Sequence, residues 1–342
     1  MLKRFLTPVG VIVLLGACQT NSSKTTVRPD GIKPVVVTEE TAYDTDDPAI
    51  WINKNDTAAS LIIGTDKATD GGLYVFDLNG KIKNSVALKR PNNVDLAYGL
   101  MLNGVPTDIA VVTEREANKI RIFRLPDLTP VDNGGITVFE GEREQAPMGI
   151  ALYTRTSDSA IFAIVGRKSG PAEGYLWQYR LQDNGSGAVA ATVVRKFGTY
   201  SGKKEIESIA VDNKMGYVYY SDETVGVRKY VVDPDKNNNG ELSLFATQGF
   251  VSDHEGISIY PTSDSTGYLL ISNQQANSFM VFKREGNNAF VKEVPVSTLE
   301  SDGSDVTAVP LGDKFPKGMF VAMSNGKVFH YYSWTDIENK LK

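Results

Sequence analysis

The chain of 342 residues contains one cysteine and two histidines. With Cys18 alone, no disulfide can form within the chain, and a thiol nucleophile has no candidate beyond that N-terminal position. His254 and His330 stand apart, and neither lies in an Arg-His-Gly sequence. Both rings therefore read as structural. Long apolar runs are scarce too: residues 9–15 form one, and it is too short to cross a membrane as a helix. No segment after it shows sustained helical periodicity. Basic charge is not concentrated anywhere; 36 Lys and Arg against 41 Asp and Glu leave a net charge of −5, which argues against nucleic acid as a partner.

At 41% hydrophobic and 23% charged, the chain can still bury a full core. Its first residues have the order of an export signal: Lys3 and Arg4, the short apolar run, then Leu15-Gly16-Ala17-Cys18. That ending resembles the bacterial lipobox, in which the signal is cut before the cysteine and the thiol is acylated. The expected organisation is a lipoprotein signal peptide at 1–17, a polar tether at 18–33 and one folded domain at 34–342. The expected location is the bacterial cell envelope, lipid-anchored at the outer membrane or in the periplasm, with release to the exterior as a further destination. An ordinary secretory signal with an incidental cysteine is the alternative.

What the rest contains is a repeat. Short runs rich in Val, Ile, Tyr and Phe alternate with Gly, Asn and Asp turns, which makes the chain all-β. First strands open at Asp47, Asn93, Met148, Glu207, Glu255 and Asp302, five steps averaging about 51 residues. Second strands are expected at 61–65, 109–113, 161–166, 217–221, 268–272 and 319–324. Third strands follow at 73–78, 120–125, 175–181, 227–232, 279–283 and 328–332. Weaker fourth strands lie near 82–88, 136–139, 192–197, 242–245 and 290–296. Four strands in a period near fifty predict a six-bladed β-propeller. A tandem of β-sandwiches would show no six-fold register. The last repeat lacks a fourth strand, and residues 34–38 are expected to supply it and so pair an open edge.

In a propeller, equivalent positions of successive repeats lie at one height around the axis. The residues opening the first strands are Asp47, Asn93, Met148, Glu207, Glu255 and Asp302. Those just beyond the second strands are Lys67, Arg115, Lys168, Glu223 and Gln274, with Gly326 in the sixth repeat beside Asn325. Both sets should crowd one mouth of the channel, cations from blades one to three facing carboxylates from blades four and five. Carboxylates so close repel unless a cation sits among them, and an oxygen-only ligand set points to Ca²⁺ before Mg²⁺. Lys67, Arg115 and Lys168 suit a phosphate.

Asp44-Thr-Asp-Asp-Pro-Ala-Ile-Trp-Ile-Asn, Gly64-Thr-Asp-Lys, Asn92-Asn-Val-Asp, Ile206-Glu-Ser and Asp253-His-Glu-Gly together resemble the alkaline β-propeller phytases. The resemblance runs over about residues 35–334. It implies a six-bladed propeller that binds several Ca²⁺ ions and hydrolyses phosphomonoesters of myo-inositol hexakisphosphate (phytate). By position it implies that Asp46, Asp47, Glu207, Glu223, Asp253, Glu255, Gln274 and Asp302 hold calcium or its water. Glu207, Glu223 and Glu255 are the catalytic candidates among them, and Lys67, Arg115 and Lys168 bind phosphate. Two departures stand out: Met148 replaces a tyrosine of the family, and the acidic loop before the last blade is short, leaving Asp302 and Asp305. The expected activity is attack of metal-activated water on a small phosphorylated substrate, by a monomer that meets a membrane only through its lipid. A non-catalytic, calcium-stabilised propeller that binds a ligand or partner is the rival reading. A lactonase-type propeller fits less well, because a neutral lactone needs no cluster of cations.

Overall fold

The computed structural model describes residues 26–342, so the expected signal peptide and Cys18 lie outside the described residues. Among the described residues six antiparallel sheets succeed one another, four of them simple meanders. Blade one consists of Thr45–Trp51, Leu61–Asp66, Gly72–Asp77 and Ile82–Ala87. Blade two has Pro91–Leu102, Val105–Glu114, Lys119–Arg124 and Ile136–Thr137, with the short Thr129–Pro130 also pairing its third strand. Blade three runs from Pro147–Thr154 to Val189–Thr199, blade four from Ile209–Asp212 to Ser243–Phe245, and blade five from His254–Pro261 to Phe290–Pro295. Blade six joins Ser304–Thr307, Met319–Ser324 and Val328–Ser333 to an N-terminal strand, Val36–Val37.

The blades form because their inner strands are buried on both faces. Successive side chains of a strand point to opposite faces, so Ile63 joins Val94 and Val112 between blades one and two, while Ile62 joins Phe315 and Phe329 between blades six and one. Each of the six blade interfaces carries its own apolar cluster among the described residues. That is why the runs read as continuous apolar segments instead of alternating ones.

The ring closes as expected. Val36 and Val37 pair with Tyr331 and His330, and the Val35 and Thr38 amides donate to Tyr331 and Phe329 at 2.7 and 3.0 Å. Two features differ from expectation. The segment read as a tether is docked from Thr26 onward: Ile32 is buried and its amide donates to Pro295 O at 3.0 Å, while Arg28 pairs with Glu293 at 2.5 Å. An apolar side chain with a place in the blade five to six cluster outweighs the polar composition around it. The chain also ends in a helix, Trp334–Leu341, whose Trp334 stacks on Tyr260 with centroids 3.5 Å apart. Eight residues are too few to display a helical period, and packing rather than propensity holds them.

Candidate active site

One irregularity recurs at the head of the first strands. Pairing with the second strand breaks between Thr45 and Pro48, Pro91 and Val94, Pro147 and Ile150, and His254 and Ile257. Such a bulge leaves residues unpaired and re-aims their side chains. Aligned on these bulges and on the matching backbone bonds of blades four and six, the mouth ring is Asp46, Asn92, Met148, Glu207, Glu255 and Asp302. Asp47 and Asn93 therefore stand one residue deeper than expected, because the extra bulge residue is invisible to a strand count.

The second ring needs little such shift. The amides of Lys67, Arg115, Lys168, Glu223 and Gln274 donate to the carbonyls of Asp44, Arg90, Ala146, Glu205 and Asp253, in each case two residues before the first-ring member. In blade six the equivalent amide is that of Asn325, which donates to Leu299, so Asn325 rather than Gly326 holds this place.

The two rings meet in one polar mouth. Lys67 Nζ lies 2.9 Å from Asp46 and pairs also with Asp302. Asn92 Nδ2 donates to Asp46 at 2.9 Å and to Glu207 at 2.6 Å, and its Oδ1 accepts from Arg115 Nη1 at 3.0 Å. Lys168 pairs with Glu205. Gln274 donates to Asp302 and accepts from Gln275, which donates in turn to Asp253 at 2.7 Å. Cations and carboxylates are thus interleaved through ion pairs, not held on separate sides.

Two groups of carboxylates bring their oxygens within 4.8 Å of one another: Glu205, Glu207 and Glu223, and Glu223, Asp253 and Glu255. Glu223 belongs to both. It is fully buried, neither of its oxygens has a hydrogen-bond partner, and Oε2 forms an ion pair with Lys204 Nζ at 2.7 Å. Burial raises Glu207 well above the ordinary glutamate value, and the charges of Asp46 and Asp302 add to it. Burial does the same to Glu255, reinforced by Glu207 and Glu223. Glu223 is pushed up to about 7 and Asp302 to about 6, burial being the first cause in each and the facing lysine the opposing one. Burial acts upward on Asp253 as well, but bonds from Lys204, Ser252 and Gln275 outweigh it and hold this carboxyl below its ordinary value. Packed acids that resist joint ionisation, and an orphaned buried oxygen, fit a hard divalent cation with oxygen ligands.

Asp47 is not in these groups. Its carboxylate lines the channel below the mouth with Asp95 and Asp305, and each of the three accepts an amide of the next blade: Val94 at 3.0 Å, Leu152 at 2.6 Å and Ile50 at 2.8 Å. Ser208 does the same for Ile257 at 2.8 Å. These are struts between blades. Both histidines are structural as well: His254 contacts Ala246 O at 2.7 Å and burial lowers it, and burial pushes His330 down to about 4.

The family model for phytases matches residues 6–335. The chain belongs to the phytase family. A 3-phytase of Bacillus subtilis is 31% identical over 326 residues, covering 86% of this chain and 81% of that one. Among solved structures, a luciferin-regenerating enzyme is similar in fold alone, with a TM-score of 0.54 at 12% identity over 87% of this chain and 95% of the other.

Within this phytase fold, three residues of the mouth escaped the sequence reading. Asn92 opens the Asn92-Asn-Val-Asp motif, where nothing in the sequence marks its amide as a bridge between the two rings. Glu205 does carry a signal: acid-X-acid recurs as Asp44-Thr-Asp46, Glu205-Ile-Glu207 and Asp253-His-Glu255, which places Glu205 level with Asp253. Lys204 carried no signal beyond its charge. Met148 does occupy the ring but is buried, and its carbonyl accepts from Thr113 Oγ1 at 2.7 Å.

Proposed function

We propose that this phytase-family propeller is a phosphoric monoester hydrolase that releases phosphate from phytate and depends on calcium held at the channel mouth. The observation that carries this reading is the adjacency of two carboxylate groups sharing Glu223 to Lys67, Arg115 and Lys168 at one mouth. Glu205, Glu207, Glu223, Asp253 and Glu255 would hold the ions, with Asp46, Asp302 and Gln274 beside them. When bound, calcium would neutralise charge on the phosphate oxygens and lower the pKa of a coordinated water.

The chain's own part is positioning. Arg115 offers a planar fork of which one N–H is used by Asn92, so the remainder can meet phosphate oxygens. Lys67 and Lys168 add point charges that stabilise the phosphoryl group as its charge redistributes. Asn92 ties Asp46, Glu207 and Arg115 together, so the cation side and the phosphate side keep one geometry. In the reaction the water oxygen forms the new P–O bond, the ester P–O bond breaks, and the inositol oxygen leaves with a proton.

Glu207→Gln keeps the shape of the site and removes a charge. Its rate on phytate should fall steeply and recover in part as calcium is raised; full activity at low calcium would refute the role. We also propose that Cys18 is acylated and anchors a monomer to the cell envelope. Incorporation of labelled palmitate that disappears in Cys18→Ser would support the anchor, and unchanged membrane fractionation of that variant would refute it.

A further inference from the structure

Lys204 immediately precedes Glu205, the first acid of blade four. Its Nζ lies 2.7 Å from Glu223 Oε2 and 2.8 Å from Asp253 Oδ2, so it bridges two of the three members of the group completed by Glu255. The carboxylates are fixed and nearly inaccessible, at 0% and 10% side-chain exposure, whereas the lysine side chain is 40% exposed. One positive charge does not complete the site, since Glu223 Oε1 remains without a hydrogen-bond partner.

We infer that Lys204 is a tethered counter-cation for Glu223, Asp253 and Glu255 that a divalent ion must displace to enter this group. The inference rests on the calcium reading of the cluster and adds to it an internal competitor that sets how much calcium the site requires. The asymmetry of exposure gives the physical reason. A flexible stem can carry the ammonium from the group into the open mouth, where it remains solvated or faces an anionic substrate. The carboxylates cannot move away, and without a cation they repel one another. The lysine therefore holds the ion-free protein together at this point and weakens calcium binding by the strength of the ion pairs that must be broken.

The test is calorimetric titration of calcium chloride into chelator-stripped full-length protein at pH 8, with melting temperatures recorded in chelator and in calcium. Lys204→Met should bind at least one calcium about ten- to a hundredfold more tightly than the parent, the range that loss of a charge-assisted bond implies. It should also melt lower in chelator and gain more on adding calcium. Lys204→Arg, which keeps the charge, should titrate like the parent, and Lys203→Met controls for the change in net charge. If the parent binds calcium and Lys204→Met binds it equally or less tightly, the competitor role is wrong while the calcium reading stands. If the parent takes up no calcium, the calcium reading falls and this inference with it.

Discussion

Arg115 and Lys67 both face the expected phosphate position, yet their removal should read differently. Arg115 is tied by one hydrogen bond to the uncharged Asn92 and neutralises no carboxylate, so Arg115→Ala should cost about 1.5–3 kcal/mol of transition-state binding, roughly ten- to a hundredfold in kcat/KM, with little change in melting temperature and no rescue by calcium. Lys67 also neutralises Asp46 and Asp302, so Lys67→Ala should in addition melt lower in chelator. Steady-state kinetics paired with thermal melts separates the two. Glu223 makes a pH prediction. Burial holds it at about 7 against an ordinary 4.5, so the fold favours its protonated form. That contribution is fully present below about pH 4.5 and is lost as pH rises through about 7. In chelator the melting temperature should fall across this window, and saturating calcium should reduce the fall; a rise in chelator would contradict it. Asp95 offers a control away from the mouth: Asp95→Ala orphans the Leu152 amide and should cost about 1–3 kcal/mol, whereas Asp95→Asn keeps an acceptor and should cost less.

The closing strand and the C-terminal helix depend on contacts distant in sequence. Deleting residues 19–40 removes the partner of Val328–Ser333 and the docked Ile32, and should lower the melting temperature and expose an edge prone to association. An unchanged melting temperature would refute closure as a source of stability. Trp334→Ala empties a buried site against Tyr260 and should cost about 3–5 kcal/mol in a denaturant titration. The strands were legible in the sequence because both faces of each blade are buried, which writes second strands such as Leu61-Ile62-Ile63 as apolar runs. The closing strand was legible from the missing sixth partner. The bulges were not, since an unpaired residue has no composition of its own, and this misplaced Asp47 by one position. The helix escaped because Trp334 and Ile337 are two anchors, too few to define a period. Ile32 escaped because one apolar residue among polar ones looks like a linker until its cluster is assembled.

Taken as a whole, the molecule concentrates at one channel mouth the charges that its net composition hides. Carboxylates from blades one, four, five and six converge there with cations from blades one to three, and the struts from Asp47, Asp95, Asp305 and Ser208 keep adjacent blades in register beneath them. An acidic mouth repels a polyanion, so bound cations are what would turn it into a site for phytate. The same ions, held only by the folded chain, would stabilise it by mass action. The most direct test is phosphate release from phytate by the purified protein, measured with calcium and with excess chelator between pH 6 and 9. The account predicts release with calcium and none with chelator, alongside a lower melting temperature in chelator. Equal release in chelator, or no release from a protein that still melts higher with calcium, would contradict it.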